Sequence, residues 1–115
     1  MKRLPIWEIM DRMQAYGRTF YDEQDGVLYS NYTCGAFEVD FTGTLLAASF
    51  CAIPDTSPSP RAAFPDQDPI PREDWPWISI FLDGADVPTR TICVHDREDI
   101  VLFFSEKAET HRIKI

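Results

Sequence analysis

Residues Ala36 to Phe50 read AFEVDFTGTLLAASF. Phe37, Val39 and Phe41 alternate with Glu38 and Asp40, so one face is apolar and the other charged. A period of two is the pattern of a half-buried strand. Thr42-Gly43-Thr44 interrupts it, and Leu46, Ala48 and Phe50 resume the alternation. Gly43 can adopt the positive φ of a tight reversal, so the stretch predicts a hairpin with a return strand from Leu46. Two strands cannot bury such a face alone, and the remaining strands are expected to pack over it.

On either side, short apolar runs are separated by turn residues. Tyr16–Tyr21 (YGRTFY) reads as a first strand with a bulge at Gly17, and Val27–Asn31 (VLYSN) as a second. Between them, Asp22-Glu23-Gln24-Asp25-Gly26 is a turn. Residues 1–15 form a lead-in in which Ile6, Ile9, Met10 and Met13 fit either a short helix or an irregular strand. Seven of the nine prolines lie between Pro54 and Pro76, and proline lacks the donor a sheet ladder requires, so 54–76 is expected to be a long loop. Trp77–Asp83 (WISIFLD) restores the alternation, Asp83-Gly84 turns, and Thr89–His95 (TRTICVH) returns. Asp96–Asp99 is a charged turn, and Ile100–Ser105 (IVLFFS) suits a strand covered on both faces. Glu106–Glu109 reads as a polar turn before a last strand, Thr110–Ile115 (THRIKI). About eight short strands with almost no helix predict one all-β domain over 1–115, an antiparallel β-sandwich of jelly-roll, galactose-binding-like type.

Composition narrows the function classes. The 115 residues allow one domain and one core. A formal net charge of -8 repels phosphate backbones, which argues against nucleic acid and anionic membranes as partners. No run approaches the roughly 20 apolar residues of a membrane-spanning helix. Lys2 and Arg3 start like a secretory leader, but Glu8 and Asp11 break the apolar segment a leader needs, so a cytoplasmic location is expected. Cys34, Cys51 and Cys93 make an odd set without a close pair and read as reduced core thiols.

Chemistry-bearing patterns are few. No Gly-x-Ser-x-Gly elbow or Gly-Asp-Ser block accompanies His95 or His111. Cys93 and His95 share a strand face, yet a structural zinc site requires four ligands, so no metal and no cofactor is expected. Trp75 and Trp77 flank Pro76 at the end of the proline-rich stretch. Indole faces stack on sugar rings, so the pair is the candidate ligand-binding platform. The alternative places Trp77 in the core and packs Trp75 between loop and sheet.

Three segments together carry a family resemblance. They are Gly17-Arg18 followed by Gly35-Ala36-Phe37-Glu38-Val39-Asp40-Phe41-Thr42-Gly43-Thr44-x-Leu46, then Trp77-Ile78-Ser79-Ile80-Phe81-Leu82-Asp83-Gly84, and Thr110-His111-Arg112-Ile113-Lys114-Ile115. In order and spacing, this set resembles the N-terminal jelly-roll domain of carbohydrate esterase family 2 and related SGNH (GDSL-type) hydrolases. The resemblance implies a non-catalytic accessory domain, followed by an SGNH catalytic domain that carries the nucleophilic serine and its histidine. Such enzymes remove acetyl groups from sugar hydroxyls, and none of their catalytic residues maps onto this chain. The 54–76 stretch is longer than the family's usual connection, and with no leader it points to an acetylated sugar or oligosaccharide inside the cell rather than xylan. A carbohydrate-binding module and a structural or oligomerisation sandwich without ligand are the alternative readings.

Overall fold

The computed structural model describes residues 2–30, 35–56 and 73–115; Cys34, Asn31 and most of the proline-rich stretch, 57–72, lie outside them. The fold is all-β and antiparallel, consistent with a β-sandwich. Seven strands occur among the described residues: β1 (Met13–Tyr16), β2 (Thr19–Asp22), β3 (Val27–Ser30), β4 (Ala36–Cys51), β5 (Trp77–Leu82), β6 (Arg90–Cys93) and β7 (Arg97–Lys114). Five form one sheet in the order β1-β4-β7-β5-β6, and β2 pairs with β3 in a separate hairpin. The body is long and flat, 59 × 35 × 23 Å.

The organising stretch is one strand of 16 residues, not a hairpin. Its burial pattern explains why both readings fit. Phe37, Val39, Phe41 and Gly43 face the core side, and after the interruption Leu46, Ala48 and Phe50 do. The inward set moves from odd to even numbers, which either a reversal or a bulge can bring about. Here a register shift between Gly43 and Leu45 does it, and β4 continues along β7 to pair Cys51 with Arg97. Gly43 pairs with Glu109 and Leu45 with Phe104, so four β7 residues, Ser105–Ala108, stand opposite Thr44 alone. The polar segment expected as a turn is therefore a wide bulge within β7 up to Ala108, and Glu109 is already paired with Gly43.

Other boundaries shift for local reasons. The lead-in forms two 3₁₀ turns, Ile6–Glu8 and Met10–Arg12, and then enters β1 at Met13. At Gly17 φ is +85°, and the backbone break there separates β1 from β2. Asp96 alone turns, with φ +47°, and the rest of the charged segment already belongs to β7. The segment Ile100–Ser105 is covered on one face only, since Val101 and Phe104 are exposed. Where the proline-rich stretch leaves and returns, Asp55 and Asp74 exchange both backbone hydrogen bonds, at 2.8 and 3.0 Å.

The two faces of the main sheet differ in chemistry. On the inner face, Val39 stands opposite Ile113; the buried apolar residues are Ile80, Ile113, Val94 and Ile100, with Ala36 at the start of β4. On the outer face Glu38 stands opposite Lys114, Asp40 opposite Arg112 and Thr42 opposite Thr110. Arg112 grips Asp40 with Nε at 2.8 Å and Nη2 at 3.3 Å, and the two threonine hydroxyls are 2.9 Å apart. Cross-strand pairs of this kind suit a solvated face.

Candidate functional site

Past the bulge, the outer face changes from charged to apolar. Leu45 stands opposite Phe104 and Ala47 opposite Val101. Phe104 is 70% exposed, Val101 40% and Leu45 36%. A groove of about 280 Å³ borders this strip, lined by Leu82, Thr89, Arg90 and Val101–Phe104. It forms because, among the described residues, β5 pairs with β7 only at Phe81 and Leu82 and no other strand covers the upper edge of β7. Arg90 closes part of that edge by donating from Nη1 to the Val101 carbonyl at 2.8 Å. Among the described residues no carboxylate lines the groove, although the chain carries 19 acidic residues. Grouped apolar exposure of this kind marks a contact surface more often than a solvated one.

A second cluster surrounds His111. Its position opposite Phe41 puts it on the inner face, and its side chain is 19% exposed. The ring packs 4.8 Å from that of Phe103, which in turn meets Phe41 edge-on at 6.0 Å. Nδ1–H donates to Asp83 at 2.5 Å and Nε2–H to Glu109 at 2.7 Å. First the bond to Glu109 and then that to Asp83 raise the imidazole above its ordinary 6.5. Asp83 is in turn held below the ordinary 3.8, chiefly by the Arg112 backbone N–H at 2.8 Å and then by His111. Asp83 also donates its own N–H to the Arg112 carbonyl at 2.8 Å. The sequence hinted at half of this cluster, because Glu109 and His111 share a face two residues apart; Asp83 is 28 residues away and gave no signal.

The residues singled out from sequence fall elsewhere. Trp77 is 68% exposed and is not core. Trp75 is half-buried, with its ring 5.1 Å from that of His95. Among the described residues no ring contact joins the two indoles. The Cys93 Sγ lies 3.8 Å from His95 Nε2. Cys51 is exposed and Cys93 half-buried, so neither is a core thiol. No described hydroxyl bonds to either histidine: His111 is taken by two carboxylates, and the His95 ring meets the Cys93 thiol and the Trp75 indole. Among the described residues no three His, Cys, Asp or Glu side chains group to hold a metal ion, and no helix is long and apolar enough to cross a membrane.

No protein family, no curated protein and no solved structure matches the chain.

Proposed function

We propose that this chain is a non-catalytic accessory domain of an SGNH-type carbohydrate (acetyl) esterase, and that it docks on the catalytic domain through the strip formed by Leu45, Ala47, Val101 and Phe104. The strip is the observation that carries the reading. It is an uncharged, apolar part of a sheet face whose other part carries the Asp40–Arg112 ion pair and the Thr42–Thr110 hydroxyl pair. Covering Phe104 and Val101 would remove apolar surface worth about 25 cal/mol per Å² from water. The resemblance of the three segments supplies the identity of the partner. The reaction itself would be acyl transfer to a serine of the catalytic domain, followed by attack of water.

The test compares the isolated chain with the enzyme from the full reading frame. The isolated chain is expected to leave an aryl acetate unhydrolysed, while the full-length protein turns it over. Phe104→Ser with Val101→Thr should lower the thermal midpoint of the full-length protein and leave that of the isolated chain nearly unchanged. Turnover by the rigorously purified isolated chain, or a reading frame that contains no SGNH domain, would overturn the proposal.

Trp77 supports a second reading, a carbohydrate-binding surface. Its exposed indole lies on the outer end of β5 and offers a stacking face. Quenching or a blue shift of tryptophan fluorescence on adding soluble glycans, lost in Trp77→Ala, would favour it over docking.

A further inference from the structure

The Asp83–His111–Glu109 cluster ties the turn after β5, a strand that pairs with β7 at Phe81 and Leu82, to the last segment of β7 where that segment borders the wide bulge. We propose that it is a proton-operated latch, closed when both His111 ring nitrogens carry hydrogen and opened at the Glu109 side when one proton leaves. It stands independently of the accessory-domain reading.

The geometry sets the direction of opening. A neutral imidazole has one N–H and one lone pair, so it can satisfy only one of the two carboxylates. Asp83 is anchored by three hydrogen bonds to β7: the His111 ring, the Arg112 N–H and its own N–H to the Arg112 carbonyl. Its backbone is fixed as well, with φ +52° at Asp83 and +74° at Gly84 in a turn closed by Ala85 N–H to Leu82 O. Among the described residues the Glu109 carboxylate has only the His111 contact, and Glu109 borders the bulge. The remaining proton therefore stays on Nδ1 toward Asp83. The bare Nε2 then confronts the Glu109 carboxylate at 2.7 Å, lone pair against charge, and Glu109 moves away.

These two carboxylates are the charged groups that face the ring. From β4 it meets Phe41, and Phe103 contacts it from β7 itself. Asp40 and Arg112 pair on the opposite face of the sheet. The sign follows from the raised imidazole: the latch is fully closed below 6.5 and opens as pH rises through the folded-state value, which lies above 6.5.

The test is a pH titration of the ring nitrogens by ¹⁵N NMR on the intact chain, with His95→Gln removing the other histidine. His111 is expected to titrate above 6.5 and to end as the Nδ1–H form. After division by the intrinsic exchange rate at each pH, protection at the Thr110 and His111 amides should fall across the same midpoint, while that at Ile113 stays level. Glu109→Gln should lower the midpoint and flatten the exchange profile, since its amide N–H can donate to a bare Nε2. A midpoint at or below 6.5, an Nε2–H end state, or exchange that ignores the midpoint would each overturn the latch.

Discussion

The ring of Phe41 lies over Gly43. A methyl group at position 43 would stand 2.8 Å from Phe41 Cζ, closer than carbon atoms approach, and φ at Gly43 is +156°. The strand thus uses a missing side chain two residues on to seat an aromatic ring against Phe103 and, through it, His111. Gly43→Ala is expected to destabilise by about 1–3 kcal/mol, the range for overpacking a fitted contact. Urea unfolding should show a lower midpoint with an unchanged slope. Phe41→Leu in the Gly43→Ala background should recover part of the loss; no recovery would mean that the backbone, not the ring, resists the methyl group.

Ile80 and Ile113 are 0% and 1% exposed and form the centre of a small core. Truncating either to alanine is expected to cost about 2–5 kcal/mol. In a domain of this size, that is enough to populate the unfolded chain at room temperature. Circular dichroism against temperature should show a broad or early transition for both variants. Val101→Thr, on the exposed strip, should leave the transition almost where it was.

On the acid side, three carboxylates have depressed values. Asp40 is lowered by its hydrogen bond from Arg112, Asp83 by the Arg112 backbone and His111, and Asp99 by the hydroxyl of Ser49 and then by Arg3. Each contributes stability that is fully present above 3.8 and is lost as pH falls through its lower folded value. The urea midpoint should therefore decline below pH 4. In Asp83→Asn that decline should be shallower. An equal slope in the variant would mean that Asp83 is not among the groups responsible.

Trp77 and Trp7 are exposed, at 68% and 58%, and Trp75 is half-buried beside His95. Acrylamide should quench most of the fluorescence of the native chain. Trp77→Phe should remove a red-shifted, readily quenched component without moving the thermal midpoint. A marked loss of stability in that variant would place Trp77 in a packing role.

Much of the architecture was legible because its causes are local. The Asp22–Gly26 and Asp83-Gly84 turns follow from residues that tolerate positive φ, and both occur where their side-chain chemistry puts them. Period-two burial along most of β4 and over Thr110–Ile113 of β7 follows from alternating apolar residues. The acidic cap of the β2–β3 turn is local too: Asp22 Oδ1 accepts from the backbone of Gln24 at 2.9 Å. The candidate sites were less legible. Phe104 reads as a core residue in IVLFFS until the face that β7 turns outward at that point is known.

What the sequence determined by itself was the all-β class, the alternation of faces along β4 and the Asp22–Gly26 and Asp83-Gly84 turns, since each depends on a few adjacent residues. What only the tertiary structure decided was whether the interruption at Gly43 reverses the chain or bulges it. The same phase change serves both, and the choice rests on the four β7 residues, more than 60 positions away, that stand opposite Thr44 alone. The His111 latch belongs to the same category. One of its carboxylates sits two residues off, but the other arrives from a different strand, through a pairing that no local pattern encodes.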